Sequence, residues 1–337
     1  MTNGRMLLAS LLASLAMVAA ACGGVSEAGD GGSGGGGKVT LVAYSTPKEA
    51  YEELIPSFQK TAAGQGVSFD QSYGASGEQS RAVEAGLPAS VVAFSLSPDI
   101  QRLVDAGIVS SNWASGAYHG MVTDSVVVFV VRKGNPKGIK TWDDLVEPGT
   151  QVITPNPFTS GGARWNLMAA YGAQIERGQT PDQALEYLRK LLSNTPVQDK
   201  SAREALQTFV GGKGDVMLAY ENEAITAQQK GEDVDYVIPD QTILIENPIA
   251  VTKDAPAAAT AFVKFLLTPG AQSIFAQKGY RPVVKGVAGA SKFTTPADLF
   301  TIDKVGGWDE VTDKFFDREN GLVAKIEQDL GVSTDSG

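Results

Sequence analysis

Three times between residues 39 and 107 a short apolar run gives way to a capped amphipathic stretch. This alternation restricts the chain to a sheet with helices on its faces. Residues 39–44 read as a buried strand. Thr46-Pro47-Lys48-Glu49 then offers a hydroxyl N-cap, proline at the first helical position and a capping-box glutamate. Tyr51, Leu54, Ile55 and Phe58 share one face of the helix that follows. Residues 67–72 form the second strand, and Ser76 and Gln79 have capping-box spacing in a helix ending near Gly86. Residues 90–94 form the third, and Ser97-Pro98-Asp99 opens a helix carrying Ile100, Leu103 and Val104, closed by Gly107. Such a β-α-β-α-β-α order implies parallel strands joined by crossover helices.

A second set follows. Residues 126–131 are unbroken apolar and β-branched or aromatic, as in a strand buried on both faces. Thr141-Trp142-Asp143-Asp144 caps a short helix, residues 151–154 are a strand, and Thr159-Ser160-Gly161-Gly162 opens a helix reaching Tyr171. Thr180-Pro181-Asp182-Gln183 and Ser201-Ala202-Arg203-Glu204 cap two more, and residues 215–219 are a strand. Segments 243–245 and 249–251 lead back to the first set. Helices are expected near 256–267 and 270–278, with two terminal ones at 310–316 and 322–330. A chain of 337 residues exceeds one comfortable core. The expected class is α/β with two lobes: residues 38–120 plus 246–300, and residues 121–245, braced by residues 301–337. Ligands of open α/β sheets lie beyond the carboxyl ends of strands, so several capped turns would face one interlobe cleft.

The first residues stand apart from this fold. Arg5, the apolar run 6–18 and Ala19-Ala20-Ala21 precede Cys22, so residues 1–21 read as a signal peptide. The pattern resembles a bacterial lipoprotein signal, with Cys22 as the lipidated N-terminus, although Ala19 stands where leucine is usual. Residues 22–37 are a Gly-rich tether spanning roughly 20 Å. Cys22 is the single cysteine, so no intramolecular disulfide can form.

Little here suggests catalysis. Net charge is −10 without a basic tract, which argues against nucleic acid as a partner. His119 is the one histidine and reads as linker packing; without a second cysteine or a Gly-x-Ser-x-Gly elbow, nucleophilic triads lack support. Neither a Walker loop nor a metal or cofactor motif is present. Asp143-Asp144 and Glu221/Glu223 read as solvated or paired charges.

What recurs is hydroxyl residues at helix starts: Thr46, Ser76, Ser160 and Ser201. Ser76 and Ser160 are each followed by glycine, which lets a ligand approach the main chain. First-turn N–H groups lack helical acceptors, and the dipole behind them favours an anion. Each dipole end supplies only about 0.3–2 kcal/mol, so several must converge on a desolvated dianion.

Several of these runs carry a family resemblance. Gly149 through Pro157, Thr159-Ser160-Gly161-Gly162-Ala163-Arg164-Trp165-Asn166, Val131 through Lys137, Ser76 through Val83, Glu221-Asn222-Glu223-Ala224, Tyr280-Arg281-Pro282 and Leu299-Phe300-Thr301-Ile302 resemble the signatures of bacterial sulfate-binding proteins of ABC importers. The likeness extends from Lys38 to about Asp317. It implies a type II periplasmic-binding-protein fold that holds dehydrated sulfate through neutral hydrogen bonds between its lobes. By motif, Ser76 and Ser160 would donate hydroxyl protons, Gly161, Gly162 and Ala202 main-chain N–H groups, and the Ser45 turn its N–H. Tyr220 stands where relatives often have tryptophan, and Ser45 where they often have aspartate. Thiosulfate, then molybdate, are the alternative ligands, and an anion-processing enzyme the alternative class. The resemblance also implies permease subunits with a cytoplasmic ATPase as partners, and a lipid-anchored monomer without cofactor or metal. A donor-only site should reject phosphate, whose proton would face donors. Arg81, Arg164 and Arg203, in the opening turns of three helices, are expected to pair with acids such as Glu221 or Glu223.

Overall fold

A computed structural model describes residues 37–334. The signal peptide, Cys22 and all of the tether but Gly37 lie outside the described residues. In chain order the elements are β1 (Lys38–Tyr44), α1 (Lys48–Gln59), β2 (Ser68–Gly74), α2 (Ser76–Glu84), β3 (Val91–Ala93), α3 (Ser97–Asp105) and β4 (Met121–Arg132). Next come β5 (Val152–Ile153), α4 (Gly161–Glu176), α5 (Pro181–Ser193), α6 (Ala202–Val210), β6 (Val216–Tyr220), α7 (Glu221–Gln229), β7 (Val234–Val237) and β8 (Gln241–Val251). The chain ends with α8 (Ala257–Leu266), α9 (Pro269–Gln277), β9 (Arg281–Pro282), β10 (Asp298–Phe300), α10 (Gly307–Phe316) and α11 (Leu322–Asp329).

The strands follow the order β2-β1-β3-β8-β4-β6-β5. β1 pairs in parallel with β2 and β3, and β5 with β6, as the β-α-β alternation predicts. The sheet as a whole is mixed. β8 runs antiparallel to β3 and β4, and β4 antiparallel to β6 and β7. The expected segments 243–245 and 249–251 belong to one long strand, β8. Its carboxyl half joins β3, while the carboxyl half of β4 joins β6. Two long antiparallel strands thus carry the chain between two wings.

Side-chain alternation explains the run 126–131. Val127, Phe129 and Val131 enter one core beneath α4 and α5, and Val126, Val128 and Val130 enter another beneath α6 and α7. A strand covered on both faces needs apolar residues at every position. In the first wing Leu41 and Ala43 face α1 and α8, while Val42 faces α3.

Helix α4 is buried on nearly all sides, so it lacks a polar face. The same holds for α7, in which Glu221, Asn222, Glu223 and Ala224 are all buried, so its residues show no amphipathic period. Two expected capping boxes are absent. Helix α1 begins after Pro47 without a side-chain cap, and Glu49 is engaged across the cleft. Helix α2 is preceded by Ala75, and Ser76 lies inside it. The boxes at Thr180/Gln183 and Ser201/Glu204 form as expected. Among the described residues no helix is long and apolar enough to cross a membrane.

Candidate functional site

Two helix N-termini meet beyond the carboxyl ends of the strands. Asn156 builds the turn before α4: its Oδ1 accepts from Phe158 N at 2.8 Å and its carbonyl from Ser160 N at 2.9 Å. The same turn is tied to the loop before α6, since Asn156 N donates to Asp199 O at 2.8 Å and Thr159 Oγ1 to Lys200 O at 2.6 Å. Those bonds set the two helix starts side by side. Ser160 caps α4 and accepts from Ala163 N at 3.4 Å, and Ser201 caps α6. The N–H groups of Gly161, Gly162 and Ala202, at the first helical positions, have no acceptor within their helices.

The glycines decide how closely the wings approach. A Cβ on Gly161 would stand 2.3 Å from Ser95 Oγ and 2.7 Å from a Leu96 methyl, so only glycine fits. At Gly162 the nearest atoms would be Ser160 Oγ at 3.5 Å, Tyr220 Cε1 at 3.6 Å and Ala202 Cβ at 3.8 Å. Space therefore allows a methyl there, and its cost would fall on any ligand approaching the main chain.

A small cavity of about 10 Å³, room for roughly one water molecule, lies at this junction. Of the residues expected from sequence, Ser45, Ser76, Ser160, Gly162, Ala202 and Tyr220 line it, while Gly161 turns toward Ser95. Tyr44, Thr46 and Ser95 also line it; the sequence marks Thr46 only as a helix-cap hydroxyl and assigns no role to the side chains of Tyr44 and Ser95. Tyr44 ends β1 and Ser95 follows shortly after β3. The strand-end rule could have found both. Among the described residues, no Asp, Glu, Lys, Arg or His lines this cavity.

Its hydroxyls divide into two kinds. Ser76 Oγ donates to Asp99 Oδ2 at 2.5 Å and accepts from Ser95 N at 3.0 Å. The family motif assigns that hydroxyl to a ligand; here a buried carboxylate takes its proton, leaving Ser76 only its main-chain N–H to offer. By contrast the hydroxyls of Tyr44, Ser95 and Tyr220 are buried without a well-formed hydrogen bond among the described residues, although Tyr44 OH comes near Thr46 and Tyr280. Tyr220 OH comes near Ser95 and Asn247 without bonding geometry to either. Burial raises the phenols of Tyr220 and Tyr44, and the neighbouring Glu223 charge raises both further, so each stays a proton donor near neutral pH. Buried groups of this kind ordinarily find a partner.

Charge gathers at the rim instead. Both Arg203 nitrogens donate to Glu49, Lys230 joins the same carboxylate, and Lys200 meets Glu78 at 2.7 Å. Each link joins the second wing to the first. Burial alone would raise the Glu49 carboxyl, but the Arg203 and Lys230 hydrogen bonds outweigh it and hold it down to about 2. The expected arginine pairings are corrected accordingly. Arg203 takes Glu49, Arg164 donates to Pro157 O at 2.9 Å and stacks over Phe316, and Arg81 lies in the field of Asp99 and Glu78. Glu221 pairs with Arg281 at 2.7 Å, and Glu223 accepts from Tyr220 N at 3.3 Å. Burial raises Glu223 to about 7.

The chain matches the family of bacterial extracellular solute-binding proteins over residues 39–281 and belongs to it. It is 44% identical to a sulfate-binding protein of Synechococcus elongatus, covering 95% of each chain, and 38% identical to one of Escherichia coli, covering 82% of this chain and 88% of that one. The solved structure of the sulfate-binding protein SubI from Mycobacterium tuberculosis H37Rv is 46% identical, with a TM-score of 0.80 over 83% of this chain and 99% of that one. The periplasmic binding protein AfuA of Actinobacillus pleuropneumoniae, 17% identical with a TM-score of 0.63, shares the fold alone. The architecture is therefore the two-lobe type II binding-protein fold.

Proposed function

We propose that the protein captures sulfate in the cavity between the N-termini of α4 and α6 and delivers it to an ABC importer. The observation that carries this reading is a buried wall of unpartnered hydroxyls and helix-end amides without an ionised side chain. Donors of that kind suit an oxyanion lacking protons, because each needs an acceptor, which the anion supplies, and none needs a proton from the ligand. Ser45, Ser76, Gly161, Gly162 and Ala202 would contribute main-chain N–H groups, and Ser160 and Tyr220 hydroxyl protons. The sulfate-binding relatives support sulfate; thiosulfate-binding relatives, such as one of Pseudomonas aeruginosa at 35% identity, stand further off. Calorimetric titration with sulfate, thiosulfate, molybdate and phosphate at pH 6 and pH 8 tests the reading. Saturable one-to-one sulfate binding, with phosphate weaker, is expected. No saturable heat with any of the four would refute it.

The remaining assignments rest on the sequence and the family. Residues 1–21 would be removed, Cys22 acylated, and residues 22–37 would tether a monomer to the outer face of the membrane. Lobe 1 would comprise residues 38–120 with 246–300, lobe 2 residues 121–245, and residues 301–337 would brace them. The packing of α10 on α3 and of α11 on α5 supports that brace. Radiolabelled palmitate entering the wild-type chain but not Cys22→Ala is the expected result for the anchor; equal labelling would contradict it.

A further inference from the structure

We infer that Ser95 contacts the bound oxyanion directly, donating its hydroxyl proton beside Tyr220. This rests on the functional reading above, since it adds a residue to the same site. Ser95 is 1% exposed, lines the cavity, and its Oγ has no hydrogen-bond partner among the described residues. Its main chain is held on both sides: Ser95 N donates to Ser76 Oγ at 3.0 Å, and Ser95 O accepts from Trp165 Nε1 at 2.7 Å. A backbone fixed in this way leaves the side chain little choice of position. That position is against the first residue of α4, because a Cβ on Gly161 would stand 2.3 Å from the hydroxyl oxygen. The free amides and positive dipole end of α4 converge on the same place.

Ser76 is the other buried serine on this wall, and it cannot take the role. Its proton already goes to Asp99, and breaking that bond would strand a buried carboxylate. Of the two, Ser95 alone has a proton to give. The Tyr220 hydroxyl lies near it, so the pair forms a short donor edge opposite the Gly161–Gly162 turn.

Ser95→Ala and Tyr220→Phe each delete one hydroxyl while preserving shape. They are to be titrated with sulfate by calorimetry, singly and together, in the full chain, and melted free of sulfate. Each single variant is expected to bind about tenfold more weakly, the loss of one charge-assisted hydrogen bond. The double variant should lose less than the product of the two, because adjacent groups couple. Melting without sulfate should stay level or rise, since an unsatisfied buried polar atom is gone. A Ser95→Ala protein that titrates like wild type would overturn the inference and leave the functional reading intact. So would weakened binding accompanied by a lower melting temperature, which marks a structural serine. A wild-type chain that binds no sulfate would overturn the functional reading, and this residue's role with it.

Discussion

The floor and the rim of the cleft are built from opposite materials. On the floor, hydroxyls and helix-end amides surround a small cavity without an ionised side chain among the described residues. At the rim, Glu49, Arg203 and Lys230 form a three-membered cluster, with Lys200 and Glu78 beside it. The difference separates two tasks. A fixed dipole stabilises an anion without needing a counter-charge of its own, and it presents the same field at every pH where phenols stay protonated. A partly exposed ion pair is screened and worth little, but it can register one wing against the other. Binding strength is therefore assigned to the floor and alignment to the rim.

The sharpest way to break this division is Gly161→Ala. The new methyl would collide with Ser95 Oγ and Leu96, holding the wings apart and displacing the first amide of α4. Sulfate affinity should fall at least about a hundredfold, since several donors lose register together; titration showing a change under threefold would sever the floor from binding. Next comes Ser160→Ala, which removes both a ligand donor and the α4 cap. We expect about ten- to hundredfold weaker binding and about 1 kcal/mol less stability, read by calorimetry and urea unfolding. Loss of stability alone would reduce Ser160 to a cap.

Rim substitutions should matter far less. Arg203→Ala or Lys230→Ala should change sulfate affinity by less than about fivefold, the value of a partly exposed pair. A larger loss, abolished by salt, would move the binding energy from floor to rim. The smallest effect on affinity is expected at Glu223, behind Tyr220. Its folded carboxyl sits near 7 against an ordinary value of 4.5. Between those pH values the unfolded chain releases the proton while the folded chain keeps it, so stability declines as pH rises through that window and levels off above it. In Glu223→Gln that decline should be absent. The melting advantage of the variant should grow from pH 4.5 to 7; a constant offset would show that the carboxyl titrates normally.

Much of the fold was legible because side-chain period and capping are local. The β-α alternation, the doubly buried run 126–131 and the caps at Thr180 and Ser201 needed no distant information. The caps assigned to Glu49 and Ser76 failed because their true partners lie 154 and 23 residues away, where no spacing rule reaches. The Ser-Gly-Gly turn was visible as a motif. Ser95 and Tyr44 carry no motif of their own, and only their places at the ends of strands expected at 39–44 and 90–94 mark them. The antiparallel crossing of β4 and β8 was hidden, because pairing partners are a tertiary fact.

A crystal structure of the sulfate complex tests the division of labour most directly. The ion should sit within hydrogen-bonding distance of Ser160, Gly161, Gly162 and Ser95, with every Lys, Arg and His nitrogen more than about 4 Å from its oxygens. An arginine or lysine nitrogen on the sulfate, or an ion bound at the rim beside Arg203, would contradict the account.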